Sequence, residues 1–260
     1  MSLTNETHPQ TRILSWDGCL NVRDLGGLPL EGGGLTNRRA ILRADSVRKL
    51  TDAGWRALLD YGVSRIVDLR FHSELRDDPP RDLSLEVVHI SVLPELDSHH
   101  WIEIDAMADA APDAAAAHSA VYLEFLERFR REFGAAFGAI SDAPPGPVLV
   151  HCVGGKDRTG LLSALVLRSA GVPIEVVADD YALSEGNLRP EAQGWIGQAS
   201  TDLERAQRER RSQTPAGAMV GVLVELERRY GSVRNYLLAA GVSDSAVQEV
   251  TDRLAGAPSS

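Results

Sequence analysis

The segment VLVHCVGGKDRTG, residues 148–160, limits what the chain can fold into more than any other stretch. An apolar run ends at a histidine and a cysteine, two glycines follow, and a second apolar run, GLLSALVL, begins at once. The first run is short and apolar on both faces, which predicts a central strand, and the second has the pattern of a helix. A strand, a glycine loop and a helix in this order are typical of an α/β protein.

The predicted elements before this segment follow the same alternation. Residues 16–46 show a rough apolar alternation and then two short strands around a glycine turn, which predicts a small antiparallel entry. Thr51 is expected to cap a helix that stops at Gly62, and the strand SRIVDLR follows at once. A further strand is predicted over residues 85–93.

Helical patterns dominate the rest of the chain. Residues 104–117 are rich in alanine but weakly specified, and we expect a loop with marginal helix there. From Ser119, aromatic residues recur at helical spacing up to the breaker APPGP, which predicts one long helix. We therefore predict an α/β fold with a central, mainly parallel sheet flanked by helices and a helical C-terminal third. In such sheets ligands bind where a strand ends and a helix begins.

Length, charge and cysteine content restrict the class of protein. The chain has 260 residues without a long linker or a repeat, which predicts a single domain over 1–260 with residues 1–12 disordered. The formal charge of -10 argues against nucleic acid as a partner. No apolar run approaches the roughly 18 residues of a membrane span, so no stable membrane association is expected. Cys19 and Cys152 lie far apart, which indicates neither a disulfide framework nor a metal site, and a reducing cytoplasm is the expected location.

The loop after the central strand can bind an anion. Unpaired N–H groups and the dipole at a helix start favour negative charge, and Gly154 and Gly155 let the backbone approach it closely. Arg158 offers a planar fork that suits two phosphate oxygens. Cys152 lies at the base of this positive environment, which favours the nucleophilic thiolate. Thr159 is placed to donate a hydrogen bond to the sulfur.

Three alternatives compete with this interpretation. A nucleotide-binding loop of the Gly-x4-Gly-Lys-Ser/Thr type needs a glycine where Val150 stands and a hydroxyl where Asp157 stands, so the match fails twice. A sulfurtransferase also carries a cysteine loop at the end of a strand, and the sequence alone leaves this alternative open. The least specific alternative is a buried core thiol beside a basic turn, which would make the whole arrangement accidental.

The stretch HCVGGKDRTG resembles the Cys-x5-Arg-Ser/Thr loop of the protein tyrosine phosphatase superfamily. With NVRDLGG, LRADS and VDLR it is similar to the atypical bacterial branch, which is related to dual-specificity and lipid phosphatases, over roughly residues 13–255. The resemblance implies a cysteine-phosphatase-like fold, Cys152 as the nucleophile that forms a phosphocysteine, Arg158 as the transition-state clamp, and no metal or other cofactor. The loop residues expected to contact the substrate are His151, Val153, Gly154, Gly155, Lys156 and Thr159.

The resemblance leaves two candidates for the general acid that protonates the leaving oxygen. Asp157 lies in the loop at a position associated with that role in this branch, and we favour it; a structural partner that aims Arg158 is its alternative role. Asp68, at the end of the strand IVDLR, is expected at the same edge of the sheet, with a strand-end hydrogen bond as its alternative. Lys156 adds a second cation, which suits an extra phosphate in lipid-active relatives and is otherwise a solvated lysine.

The predicted function is a metal-independent phosphatase that acts on phosphotyrosine in proteins. Phosphoserine, phosphothreonine and phosphoinositides are further candidate substrates. The alternative from a different class of protein is a regulatory module that binds phosphate at the same loop without catalysis. Residues 186–217 resemble the helical lid of some relatives, with a solvated helix as the alternative. Arg23 and Asp24 in NVRDLGG resemble a family motif that braces the loop, and a turn salt bridge is their alternative role.

Overall fold

The computed structural model describes residues 12–76, 85–93, 95 and 98–256. The disorder predicted for residues 1–12 lies outside these ranges, except for Arg12, and stays a prediction. The described residues form a five-stranded sheet with a hydrophobic core on each of its faces. The predicted α/β class with a central, mainly parallel sheet is confirmed.

The sheet brings three strand ends together at one edge. Its strands are β1 Arg23–Asp24, β2 Ile41–Ala44, β3 Arg65–Asp68, β4 Glu86–His89 and β5 Val148–His151. Their order is β1-β2-β5-β3-β4, and of the described strands β1 alone pairs antiparallel. His151, the last residue of β5, lies opposite Ala44 of β2 and Asp68 of β3. The loop that follows β5 therefore starts between two neighbouring strand ends.

The predicted strands differ from the observed ones mainly in length. The antiparallel entry consists of β1 and β2, while the glycine turn itself carries a single bridge between Pro29 and Leu35. β4 ends at His89, earlier than the predicted residue 93. The chain then leaves the sheet edge, because Val92 and Leu93 enter the core.

Helices surround the sheet and fill the C-terminal third. They are α1 Asp52–Asp60, α2 His72–Arg76, α3 Ser98–Ala110, α4 Ala114–Arg128, α5 Arg130–Ser141, α6 Asp157–Ser169, α7 Ile174–Asn187, α8 Arg189–Gly197, α9 Asp202–Ser212, α10 Ala216–Tyr230, α11 Val233–Ala239 and α12 Asp244–Ala255. The predicted cap of α1 is present, since the Thr51 side chain accepts a hydrogen bond from Gly54 N. The prediction of a helical C-terminal third is confirmed by α6 to α12.

The loop predicted over residues 104–117 was wrong. α3 and α4 cover most of this stretch, and Asp113 caps α4 by accepting a hydrogen bond from Ala116 N. Alanine has the highest helix propensity, and burial of Ile104 and Ala117 adds the packing that stabilises a short helix. The single helix predicted from Ser119 is two helices, since α4 ends and α5 begins at Phe129, whose backbone (φ -112°, ψ 33°) leaves the helical conformation.

Alternating residues of the strands enter two separate cores. Ile41, Val67 and Val150 pack into the larger core, together with side chains of α4 to α6 and α10 to α12. Leu149 and its neighbours in the sheet pack into the smaller core with Trp16 and with Trp55 of α1. β5 therefore carries the loop on a support that is packed from both faces.

Candidate active site

Residues from other segments hold the loop between β5 and α6 by hydrogen bonds to its carbonyl groups. Three consecutive carbonyls accept hydrogen bonds: Val153 O from Ser46 N (2.8 Å), Gly154 O from Asn21 Nδ2 (3.1 Å) and Gly155 O from Arg43 Nη2 (2.7 Å). In a trans peptide the C=O and N–H groups point in opposite directions, and the described residues contain no cis peptide bond. Each N–H group of these three peptides therefore points away from the residue that binds the carbonyl of the same peptide, which leaves it available as a donor for an anion.

Gly155 lets the loop lie directly against β2. Its φ of +64° is in the left-handed region, and a Cβ atom there would lie 2.2 Å from Ala44 O. Any side chain at this position would push the loop away from the strand end. The glycine therefore fixes the distance between the loop and the sheet. Cys152, at the start of the loop, is 3% exposed.

Arg158, in the first turn of α6, is held by the segment after β3. Nη1 and Nη2 donate to the two carboxylate oxygens of Glu74, at 2.7 and 3.0 Å, and the guanidinium stacks on the ring of Phe71 at 4.5 Å. Glu74 takes the edge formed by the two Nη atoms, so the edge formed by Nε and one Nη remains for two phosphate oxygens. Burial alone would lower the pKa of Arg158, but Cys152 and Glu74 outweigh it and raise the pKa, which keeps the guanidinium charged.

A buried charge cluster supports the residues that brace the loop. Asp180 of α7 pairs with Arg23 at 3.1 Å, with Arg43 at 3.0 Å and with Arg12 at 2.9 Å. The side chains of Asp180, Arg23 and Arg43 are at most 1% exposed. Arg23 Nη1 also donates to Asn21 Oδ1, which orients the amide that binds the loop. Arg43 thus contacts the loop directly, and Arg23 acts on it through Asn21.

Asp24, the other charged residue of the NVRDLGG stretch, binds elsewhere. Its carboxylate accepts hydrogen bonds from Gly26 N and Arg39 N, both at 2.8 Å, and from Tyr61 OH at 2.7 Å. These contacts tie together the segment around β1 and the end of α1. Asp24 therefore stabilises a turn by hydrogen bonds, and its contacts with the described residues include neither the loop nor the predicted alternative of a turn salt bridge.

Asp68 lies at the same sheet edge as the loop but is enclosed in an ion pair. It is 3% exposed and accepts hydrogen bonds from N, Nε and Nη2 of Arg70 at 2.8–3.1 Å. His151 Nε2 lies 3.6 Å from Asp68 Oδ2, and His151 Nδ1 lies 3.0 Å from Cys152 O. Burial would raise the pKa of Asp68, but His151 and Arg70 outweigh it and lower the pKa. Asp68 and His151 thus form a buried pair beneath the start of the loop.

Asp157, the first residue of α6, lines a cavity that opens over the start of this helix. Its side chain is 43% exposed, its Oδ1 accepts a short hydrogen bond from Tyr122 OH, and the same atom lies 3.6 Å from Lys156 Nζ. Partial burial would raise the pKa of Asp157, but Lys156 and the Tyr122 hydrogen bond outweigh it and lower the pKa. Of the two candidate acids, Asp157 alone lines this cavity.

A cavity of 510 Å³ opens over the start of α6. Lys156, Asp157 and Arg158 form its polar floor. Its walls come from α3, α4 and the two helices in the predicted lid segment, through Trp101, Ile104, Val121, Phe125, Trp195 and Arg211 among others. This volume is within the range of about 300–1,000 Å³ that ligand sites occupy. The predicted lid segment therefore forms part of the cavity wall.

Lys156 is held by the end of α9. Its Nζ donates to Arg211 O, and the Arg211 guanidinium donates to Asp105 of α3 at 2.7 Å. The Lys156 side chain is only 15% exposed, so the alternative of a solvated lysine was wrong. α9 is therefore tied both to the loop and to the opposite wall of the cavity.

Thr159 does not make the predicted contact with the sulfur. It is fully buried, and its Oγ1 forms no hydrogen bond with any residue that the structure describes. The hydrogen bond expected from this hydroxyl to Cys152 is therefore absent. A buried hydroxyl without a partner costs about 1–3 kcal/mol, so a sulfur or anion brought within its reach would be stabilised.

Glu74, Tyr122 and Asp180 are among the residues that support the site and were not predicted from the sequence. Glu74 stands in a polar segment that carries no signal separating it from other surface acids. Tyr122 was predicted as one of several aromatic core residues of a helix, and its hydroxyl partner lies 35 positions away. Asp180 had a usable signal, because a carboxylate falls on the apolar face of α7, between the buried Val177 and Ser184. A buried charge in that position requires a partner.

Comparison with known proteins identifies the family of this chain. Residues 14–256 match the model of a tyrosine phosphatase family. A tyrosine-protein phosphatase of Nostoc commune is 31% identical over 225 residues, which cover 83% of this chain and 74% of the relative. The triple specificity protein phosphatase PtpB of Mycobacterium tuberculosis is 27% identical over 262 residues, which cover 83% of this chain and 91% of the relative.

The chain belongs to the tyrosine phosphatase family, since the family model covers nearly its whole length. It is a protein tyrosine phosphatase by class, and phosphorylated substrates follow from that class. None of the described helices is long and apolar enough to cross a membrane. Within the described ranges, no group of three or more His, Cys, Asp and Glu side chains is arranged to hold a metal ion.

Proposed function

We propose that the protein hydrolyses phosphotyrosine in proteins by two displacements at phosphorus, through a phosphocysteine on Cys152. The names of the relatives support phosphotyrosine as the substrate, and the name of the mycobacterial relative supports a breadth that includes other phosphorylated residues. The arrangement of the loop supports the mechanism. Family membership favours an enzyme over the alternative of a phosphate-binding module.

The observation that carries this proposal is the orientation of the loop peptides. Three carbonyls are bound from outside, so three N–H groups are left for the equatorial oxygens of a phosphate. The free edge of Arg158 supplies two further donors at the same helix start. Such preorganised donors stabilise the charge that develops on phosphoryl oxygens in the transition state.

The first displacement transfers the phosphoryl group to sulfur. An electron pair of the Cys152 thiolate forms the S–P bond while the bond between phosphorus and the tyrosyl oxygen breaks. The electron pair of the broken bond passes to that oxygen, and the Asp157 carboxyl group supplies it with a proton. Tyrosine leaves as the neutral phenol. Arg158 pairs with two oxygens of the phosphoryl group throughout.

The second displacement regenerates the enzyme. A water oxygen forms a bond to phosphorus, the Asp157 carboxylate accepts a proton from that water, and the S–P bond breaks with its electron pair returning to sulfur. Inorganic phosphate leaves, and Asp157 is again protonated. Both steps balance without an external oxidant or reductant.

Asp157 serves as the acid in this scheme although its pKa is lowered in the free enzyme. A bound phosphate dianion beside the carboxylate disfavours the ionised form, so proton uptake accompanies substrate binding. Asp68 lacks such access, because Arg70 and His151 enclose it. We propose that Asp68 instead positions His151 beneath Cys152.

A direct assay tests the proposed function. A phosphotyrosine peptide, a phosphoserine peptide and a phosphoinositide are incubated with the enzyme, with and without a chelator. We expect turnover of the phosphotyrosine peptide that is unchanged by the chelator and blocked by vanadate. The other two substrates measure the breadth of the activity. Absence of phosphotyrosine turnover, or its loss with the chelator, would refute the proposal.

Asp157→Asn is expected to slow poor leaving groups selectively. General acid catalysis contributes about 10²–10⁴-fold, so kcat/KM for a phosphotyrosine peptide should fall by at least about 10²-fold. An activated aryl phosphate such as p-nitrophenyl phosphate needs the proton less, and we expect its loss to be several times smaller. The measurement is kcat/KM for both substrates at several pH values.

Two further variants complete this experiment. Asp68→Asn should slow both substrates about equally, since its role is structural in the proposal. Asp109→Asn removes another carboxylate that lines the same cavity and should leave the ratio of the two substrates unchanged. Selectivity in Asp68→Asn but not in Asp157→Asn would transfer the acid role to Asp68.

A further inference from the structure

Two buried tyrosines lie behind the Asp157 carboxylate, and the mechanism above makes no use of them. Tyr122 of α4 and Tyr181 of α7 are 2% and 1% exposed. Tyr122 OH forms hydrogen bonds with Asp157 Oδ1 and with Tyr181 OH, the latter at 2.8 Å. Their rings meet edge to face with centroids 6.0 Å apart. A chain of two hydroxyl groups therefore leads from the core to the carboxylate.

The number of protons determines which group donates and which accepts in the hydrogen bonds that join Tyr181, Tyr122 and Asp157. Each tyrosine hydroxyl donates one hydrogen bond. An ionised Asp157 only accepts, so Tyr122 donates to Oδ1 and Tyr181 donates to Tyr122. If Asp157 donated a proton from Oδ1 to Tyr122, one of the two tyrosine protons would lack an acceptor among the described residues, whichever way the bond between the tyrosines ran. The two tyrosine hydroxyl groups therefore disfavour protonation of Asp157 at Oδ1.

The other carboxylate oxygen is left for the reaction. Lys156 Nζ also faces Oδ1, and Oδ2 makes no hydrogen bond with any described residue. Asp157 lines the cavity over the start of α6, and in the proposed mechanism the leaving group lies there. We propose that Tyr122, supported by Tyr181, is a positioning residue that holds Asp157 by Oδ1 so that Oδ2 presents the proton to the leaving oxygen. This inference rests on the proposed function, in which Asp157 is the general acid.

Several other charged and titratable groups face Asp157 or share its cavity. They are Lys156 and Arg158 at the start of α6, His118 of α4, Arg210 and Arg211 of α9, and Asp105 and Asp109 of α3. Burial lowers the pKa of His118, so its imidazole contributes little positive charge at neutral pH. The cations attract the carboxylate, and of these groups Lys156 lies on the same side as Tyr122, so both leave Oδ2 toward the cavity.

Tyr122→Phe tests the inference, because it removes the hydroxyl and keeps the ring in the core. On the plateau below the alkaline limb of the pH profile, we expect kcat/KM for a phosphotyrosine peptide to fall about tenfold, and that for p-nitrophenyl phosphate to change less than about threefold. The ionised carboxylate loses a donor, so the alkaline limb of the kcat/KM profile should move to higher pH by about one unit. A purely structural role would change neither the substrate ratio nor the pH limb.

Tyr236→Phe is the matched control. Tyr236 is fully buried, and its hydroxyl donates to Leu126 O of the same helix α4 at 2.7 Å, without contact to Asp157. This variant should keep the parental substrate ratio and pH profile. In the Asp157→Asn background, Tyr122→Phe should add no further selectivity, since the two residues act as one unit. Tyr181→Phe should shift the limb in the same direction by less, and it serves if Tyr122→Phe does not fold.

The outcomes separate this inference from the function on which it rests. If Asp157→Asn is selective for poor leaving groups while Tyr122→Phe and Tyr181→Phe both behave like Tyr236→Phe, the positioning role is wrong and the acid assignment stands. If Asp157→Asn shows no selectivity, the acid assignment itself is wrong, and the positioning role falls with it.

Discussion

Cys152→Ser is expected to lose at least about 10⁴-fold in turnover of a phosphotyrosine peptide while it keeps its affinity for inorganic phosphate. A serine hydroxyl is far less acidic than a thiol, so the nucleophile is lost. The donors that bind phosphate belong to the loop backbone and Arg158, which the substitution leaves in place. Steady-state kinetics measures the first effect, and a phosphate titration of thermal stability measures the second.

Cys19→Ser is the matched control for this experiment. Cys19 is the other cysteine of the chain, and its Sγ lies 3.4 Å from Ser46 O. Burial and the nearby Asp45 raise the pKa of Cys19 far above its ordinary value, so this thiol should be inert. We expect iodoacetate to label Cys152 faster than Cys19, phosphate to block the reaction at Cys152, and Cys19→Ser to behave like the parent. Appreciable turnover by Cys152→Ser would remove Cys152 from the nucleophile role.

The core of this site could be predicted because its chemistry is local in sequence. Cys152, Arg158 and the glycines between them lie in one strand-loop-helix unit, whose geometry follows from an apolar strand and a helix start. The same applies to the parallel sheet, which follows from alternating strands and helices. The position of Asp157 at the end of this loop was predicted for the same reason, since it is adjacent to Arg158 in the sequence.

The supporting residues could not be predicted, because each arrives from a distant part of the chain. Glu74 meets Arg158 across 84 positions, and Tyr122 meets Asp157 across 35. Sequence patterns identify Tyr122 only as apolar and helical, and they carry no information on which hydroxyl finds which carboxylate. The helices over the alanine-rich residues 104–117 were not predicted for a related reason. The apolar periodicity of this stretch is weak, and the tertiary contacts that stabilise its helices are visible only in the fold.

Asp180→Asn is expected to lower the free energy of unfolding by about 3–5 kcal/mol. The substitution leaves Arg23 and Arg43 buried with their charges uncompensated, and a broken buried pair costs more than the pair contributes when intact. Arg43 also binds Gly155 O, so we expect weaker phosphate binding in the same variant. Urea denaturation followed by circular dichroism measures the stability. Asp179→Asn, at the exposed neighbouring position, removes the same charge and should change stability by no more than about 0.5 kcal/mol.

The pH dependence of the stability lost in Asp180→Asn tests whether the charge of Asp180 stabilises the buried cluster. Burial would raise the pKa of Asp180, but Arg23 and Arg43 outweigh it and hold the pKa well below its ordinary value. A carboxylate whose folded-state pKa is lowered stabilises the protein above its unfolded-state pKa of about 3.9, and this contribution is lost as the pH falls through the folded-state value. The stability difference between the parent and Asp180→Asn should therefore be fully present at neutral pH and shrink below about pH 4. A difference that stayed constant down to acid unfolding would show that shape, and not charge, makes Asp180 necessary.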